Sequence, residues 1–152
     1  LEPYFQTAGV PTNLVEGIRT PLASLKQQVG AKNTLETKAR AIQIIGTIPD
    51  IFDYYQVTMP TDINRLDYLG HAMVLNTQKG DWTTAAKNIG EIKNVWARLK
   101  PNLNSTAQQS AASYEARINV LSSDISKQDA KAVASDSVTL QKDLDALSMA
   151  YY

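Results

Sequence analysis

His71 is the single histidine of the chain, and Asp67 stands four residues before it. On a helix this spacing places a carboxylate one turn below an imidazole, an arrangement that orients a general base or a metal ligand. Either chemistry needs further groups, and no serine, cysteine or second histidine stands where the sequence alone would supply one. The plainer reading is an i,i+4 surface pair that contributes roughly 0.2–0.5 kcal/mol. Asp50 and Asp53 raise the same choice. Paired carboxylates can do acid–base work, but these follow Pro49, where acidic side chains stabilise the start of a helix. The aromatic residues Phe52, Tyr54, Tyr55 and Tyr68 gather where the N-terminal segment meets the following helix. Such a cluster can line a ligand pocket or a partner surface, or can be a second core. Together with Asp67 and His71 these residues form the candidate ligand or partner surface; no catalytic, cofactor or metal set is expected.

The residue inventory narrows the chemistry further. A di-iron bundle site needs two Glu-x-x-His motifs and two more glutamates; the chain has five glutamates and no Glu-x-x-His. A His–Met haem is equally poorly served, because Met73 shares a helix with His71 and reads as core filler. No calcium loop, Gly-rich phosphate loop or Gly-x-Ser-x-Gly elbow is present. The absence of cysteine removes disulfides, thiolate metal sites and cysteine nucleophiles. Lys plus Arg and Asp plus Glu both number 15, giving zero formal charge. That balance argues against a nucleic-acid partner and against a polybasic membrane patch. No run of eighteen apolar residues predicts a membrane span.

These side chains would be positioned by helices. The 152 residues predict one domain, with residues 1–12 as an extended lead-in, 13–57 as N-terminal helices and 61–152 as a four-helix bundle. In the N-terminal region Leu14, Ile18, Leu22, Leu25 and Val29 share a helical face. Pro21 lies within it, so the helix is expected to kink or to start there. The next helix begins near Asn33 or Thr34, with Glu36 completing a capping box. Gly46 and Pro49 predict a break before a short further helix through Ile51, Phe52 and Tyr55.

From Thr61 the apolar residues recur at alternating spacings of three and four. A helix over about 62–79, capped by Thr61, carries Ile63, Leu66, Gly70, Met73 and Thr77. The stretch KGDWTTAAKNIGEIKNVWARLKPN then sets an Asp81 cap before Trp82, Ala85, Ile89, Ile92, Trp96 and Leu99, and Pro101 stops the helix. Trp82 and Trp96 fall within about 40° of one face. A tetratricopeptide reading of this hairpin fails, because the Gly70-to-Ala85 interval is too long and no copy recurs at the repeat period of about 34 residues. Ser105 with Gln108 predicts a capping box for the helix carrying Ala107, Ala111, Tyr114, Ile118, Leu121 and Ile125. Asp129 caps the last helix, whose seam is Val133, Ser137, Leu140, Leu144, Leu147 and Tyr151. Short loops and narrow stripes predict an all-α, up-down-up-down four-helix bundle over about residues 62–151, with two or three additional N-terminal helices packed on it.

The Gly-Asp-Trp-x2-Ala…Trp…Lys-Pro hairpin across residues 70–101, with the bundle pattern behind it, resembles small extracytoplasmic helical-bundle proteins of bacteria, some of them lipoproteins. The resemblance implies a non-enzymatic binding or interaction protein of the bacterial cell envelope; it transfers no site residues. The low share of charged residues (20%) agrees with that placement, and the start at Leu1 reads as a fragment or processed form. Two other expectations stand beside it: a ligand-sensing domain of a larger receptor, and a cofactor-binding bundle. The partner is an unknown protein or small molecule, and the chain is expected to be a monomer or homodimer.

Overall fold

The computed structural model describes the backbone of residues 2–152 and the side chains of residues 3–152. Helices are the only regular elements among them: α1 (Glu2–Thr7), α2 (Thr12–Gly30), α3 (Thr34–Phe52), α4 (Thr61–Gln78), α5 (Trp82–Leu99), α6 (Gln108–Ser126) and α7 (Ala130–Met149), with a 3₁₀ turn at Lys100–Asn102. The described residues contain no strand, and none of their helices is long and apolar enough to cross a membrane. The chain divides into two compact units, one ending at Val57 and the other spanning Thr58–Tyr152.

In the first unit, α2 packs against α3. The extended lead-in expected over residues 1–12 gives way to α1, although Leu1 lies outside the described residues. Pro3 falls in the first turn of α1, where a missing N–H costs nothing, and its carbonyl accepts from Thr7 Oγ1 at 2.9 Å. α2 neither starts at Pro21 nor stops there. Proline removes the N–H that would serve the Gly17 carbonyl; Thr47 Oγ1 on α3, which donates to the Gln43 carbonyl of its own helix at 3.1 Å, also reaches that carbonyl, at 3.4 Å. Gly17 permits this approach: a Cβ there would stand 3.1 Å from Thr47 Cγ2. The break expected at Gly46–Pro49 is also absent, and α3 runs unbroken to Phe52 with Pro49 buried. Asn33 caps α3 as its sequence implies, accepting from the Glu36 N–H at 3.3 Å. The apolar face expected on α2 is only partly used, since Leu22 and Val29 are exposed.

The second unit follows its seams closely. α4 packs on α5, α5 on α6, α6 on α7, and α7 on α4. Ile63, Leu66, Met73, Ala85, Ile89, Ile92, Trp96, Leu99, Ala111, Tyr114, Ile118, Leu121, Ile125, Val133, Leu140, Leu144 and Leu147 form one buried cluster, with Trp82, Tyr68 and Tyr151 packed against it. Each large aliphatic side chain buried there contributes about 1.5–3 kcal/mol. Trp96 and Tyr114 meet at its centre with ring centroids 4.8 Å apart, inclined by 53°.

The caps hold in two of four cases. Asp81 accepts from the Thr84 N–H at 2.9 Å and from its hydroxyl at 2.7 Å. Asp129 accepts from the N–H groups of Lys131 and Ala132. Thr61, by contrast, lies inside α4, which begins after Pro60; its hydroxyl accepts from Arg65 instead. Ser105 does not cap α6, which begins at Gln108 after Ala107 without a side-chain cap; the turn before it is held by Asn104 instead. Asn104 Oδ1 accepts from the Ala107 N–H at 2.8 Å, while Asn104 Nδ2 donates to the Ala150 carbonyl and so ties this turn to the end of α7. That second bond favours the amide over the serine hydroxyl.

Candidate functional site

Asp67 and His71 lie on α4, one residue after the buried seam positions Leu66 and Gly70. On α7, Gln141 and Asp145 stand one residue after the seam positions Leu140 and Leu144. The packing of α4 on α7 brings these two flanking rows together. Gln141 Nε2 donates to Asp67 Oδ1 at 2.8 Å and to Asp145 Oδ1 at 3.2 Å. His71 Nε2 stands 3.4 Å from Asp67 Oδ1. The four side chains make one polar chain along the helix pair: imidazole, carboxylate, amide, carboxylate.

Beside this chain lies a groove of about 240 Å³, lined by Met59, Ile63, Asn64, Asp67, Gln141, Leu144, Asp145, Ser148 and Tyr152. Its lining is mainly polar, both carboxylates included, with a smaller apolar part from Met59, Ile63 and Leu144. The Asn64 side chain also lines it, with its Nδ2 buried and without a hydrogen-bond partner in the protein.

The electrostatics follow from the contacts. The hydrogen bond to Asp67 raises the His71 pKa above its usual value; partial burial opposes this, and the negative charges of Asp67 and Asp145 add to it. Burial works against ionisation of Asp67, but the hydrogen bonds from His71 and Gln141 and the imidazolium charge outweigh it and hold the carboxyl below the usual range. With both aspartates ionised, the region carries more negative than positive charge whether or not His71 is protonated.

The other sequence-derived candidates lie elsewhere. Tyr68 is half-buried on α4, packed against the core of the second unit. Phe52, Tyr54 and Tyr55 belong to the first unit, at and just beyond the end of α3. Phe52 is half-buried, whereas Tyr54 and Tyr55 are exposed. The Tyr55 hydroxyl donates to the Tyr4 carbonyl at 3.3 Å. Asp50, Asp53 and Tyr54 line a shallow depression with Pro11, Asn13 and Leu14. Asp50 is the last acidic residue of α3, two residues before its end at Phe52, and Asp53 is its C-cap, so neither serves the start of a helix as the sequence suggested.

Sequence reasoning did not single out Gln141, Asp145 or Asn64. Their signal was present in the spacing: Gln141 and Asp145 repeat on α7 the i,i+4 placement and seam offset of Asp67 and His71 on α4. Among the described residues, no group of three or more His, Asp or Glu side chains is placed to hold a metal ion.

Comparison with known proteins returned no matching family model, no matching curated protein and no matching solved structure.

Proposed function

We propose that α4–α7 form an up-down-up-down four-helix bundle and that the protein is a non-enzymatic binding protein of the bacterial cell envelope. Its ligand site is the α4/α7 groove, and the ligand is a small, partly apolar molecule bearing a cationic amine. The observation that carries this reading is the Asp67–Gln141–Asp145 chain along the groove. An ammonium group entering there meets two carboxylates, while an alkyl or aryl tail lies on Met59, Ile63 and Leu144. The antiparallel course of the bundle is supported by two contacts that join opposite helix ends: Asp62 at the start of α4 with Arg98 at the end of α5, and Asn104 just before α6 with Ala150 just after α7. The envelope placement rests on the low share of charged residues and on the hairpin pattern at residues 70–101.

A thermal-shift series tests the binding reading. Butylamine, phenethylamine and 1,4-diaminobutane, at one fixed pH and ionic strength, raise the unfolding temperature through preferential binding to the folded chain. Butyrate and phenylacetate serve as anionic controls of matching shape. Equal shifts with amines and acids, or none with either, would remove the proposed ligand class. Fractionation of source cells tests the placement separately, and recovery of the protein in the cytosol alone would contradict it.

A further inference from the structure

The α4/α7 groove is lined by a carboxylate that a histidine already holds. Asp67 lines the groove, whereas His71, one turn further along α4, does not. His71 Nε2 stands 3.4 Å from Asp67 Oδ1, and Gln141 Nε2 donates to the same oxygen at 2.8 Å. Two side chains therefore share one oxygen of a carboxylate that an ammonium ligand must also meet. Gln141 is neutral at every pH, but an imidazole changes its charge close to neutrality.

The charged groups that act on His71 come from two helices. Asp67 lies on its own helix and Asp145 on α7; among the described residues, α5, the other helix packed on α4, adds no charge to this set. Both aspartates favour the imidazolium over the neutral ring, and partial burial opposes it. With His71 protonated, the imidazolium offsets one of the two negative charges that line the groove. With His71 neutral, both act in full on a cation that enters. A primary alkylammonium keeps its charge throughout the range in which an imidazole titrates.

We propose that a proton on His71 and an ammonium ligand in the groove compete for the Asp67 carboxylate, so that the site takes up its ligand as pH rises and releases it on acidification. This regulation rests on the groove being an amine site, as proposed above, and adds a trigger to it. The competition is reciprocal: protonation of His71 weakens ligand binding by the same factor by which bound ligand weakens protonation. Both side chains are partly exposed, so the factor is about fivefold, at the low end for coupled sites.

Isothermal titration calorimetry of the full chain with butylamine, at about pH 5.5 and about pH 8.5 and one ionic strength, reads the effect. These conditions bracket the imidazole and leave ordinary carboxylates and alkylamines charged. Binding is about fivefold tighter at the higher pH, and in His71→Gln the two affinities agree. His71 is half-exposed, so the helix survives the change, and an unaltered far-ultraviolet circular dichroism spectrum checks this. Proton NMR of the His71 ring reads the reciprocal effect without any variant: saturating butylamine lowers the midpoint of the ring. Equal affinity at both pH values overturns the inference and leaves the amine site standing. A pH dependence that persists in His71→Gln overturns it too, as does a ring midpoint that butylamine leaves in place. Absence of binding at either pH overturns the amine site, and the regulation with it.

Discussion

Gln141 donates through Nε2 to Asp67 Oδ1 at 2.8 Å, joining α7 to α4 across 74 residues of sequence. The bond fixes one carboxylate oxygen in the groove wall and, through the same amide nitrogen, reaches Asp145 on the next turn. His71 completes the chain from the α4 side. This arrangement makes the titration of His71 a direct report on the site.

Because Asp67 raises the folded-state pKa of His71, the protonated imidazole favours the folded state. The contribution is complete below the unfolded value of about 6.5 and is lost as pH rises through the higher folded value. Proton NMR of the His71 ring should therefore give a midpoint above about 6.5, and Asp67→Asn should lower it. Both side chains are partly exposed, so the effect on denaturant midpoints should be small, on the order of a few tenths of a kcal/mol. A midpoint that Asp67→Asn leaves unchanged would contradict the pairing.

Asp62 opens α4 and Arg98 closes α5, and the two meet through paired contacts: Nε to Oδ2 at 2.8 Å and Nη2 to Oδ1 at 2.7 Å. Arg65 adds a third at 3.2 Å. Each charge also suits its own helix end. These contacts, led by the Arg98 hydrogen bonds, hold the Asp62 carboxyl below its usual range. The resulting stability is present above the unfolded carboxyl pKa and disappears as pH falls through the lower folded value. A double-mutant cycle with Asp62→Asn and Arg98→Gln should give a coupling of about 0.5–1 kcal/mol at neutral pH, smaller in high salt because Arg98 is largely exposed.

The Trp96–Tyr114 pair separates packing from hydrogen bonding. Trp96→Ala opens a cavity in the centre of the second unit and should cost about 3–5 kcal/mol. The Tyr114 hydroxyl, in contrast, is buried without a hydrogen-bond partner. Removing a buried, unpaired polar group relieves its desolvation cost, so Tyr114→Phe should be neutral or stabilising by up to about 1 kcal/mol. Urea denaturation of both variants checks the contrast; a large loss in Tyr114→Phe would reveal a partner for the hydroxyl.

The Thr47 hydroxyl is shared between the Gln43 carbonyl of α3 at 3.1 Å and the Gly17 carbonyl that Pro21 leaves without its N–H, at 3.4 Å. Thr47→Val keeps the shape and deletes the donor, and should cost about 0.5–1.5 kcal/mol. Thr47→Ser retains the hydroxyl and should recover most of this. Hydrogen exchange on α2 amides gives the local readout: protection should fall in Thr47→Val and return in Thr47→Ser.

The contrast between the two units shows what the chain makes legible. In α4–α7 most seam positions were readable, because one buried stripe per helix leaves one choice of inward face; Ser137 on the expected seam is only half-buried, and Leu75 and Val95, outside it, are buried. Asp81 and Asp129 were readable as caps for a similarly local reason. In α2 and α3 the same rules misled. Pro21 and Pro49 signal helix ends locally, but the Gly17 carbonyl that Pro21 leaves bare lies against the Thr47 hydroxyl, thirty residues away. The turn before α6 is held by Asn104 rather than Ser105 because Asn104 also reaches the end of α7. The groove was half-visible: Asp67 and His71 stand out through the lone histidine, whereas Gln141 and Asp145 matter only once α7 is known to lie against α4.

The most direct test of the account is a ¹⁵N–¹H NMR titration of the full chain with butylamine at constant pH, repeated on Asp67→Asn with Asp145→Asn. The account predicts saturable shifts concentrated at Asn64, Asp67, Gln141, Asp145 and Ser148, and their loss in the double variant. Shifts centred elsewhere, or a response that survives removal of both carboxylates, would contradict the groove as the binding site.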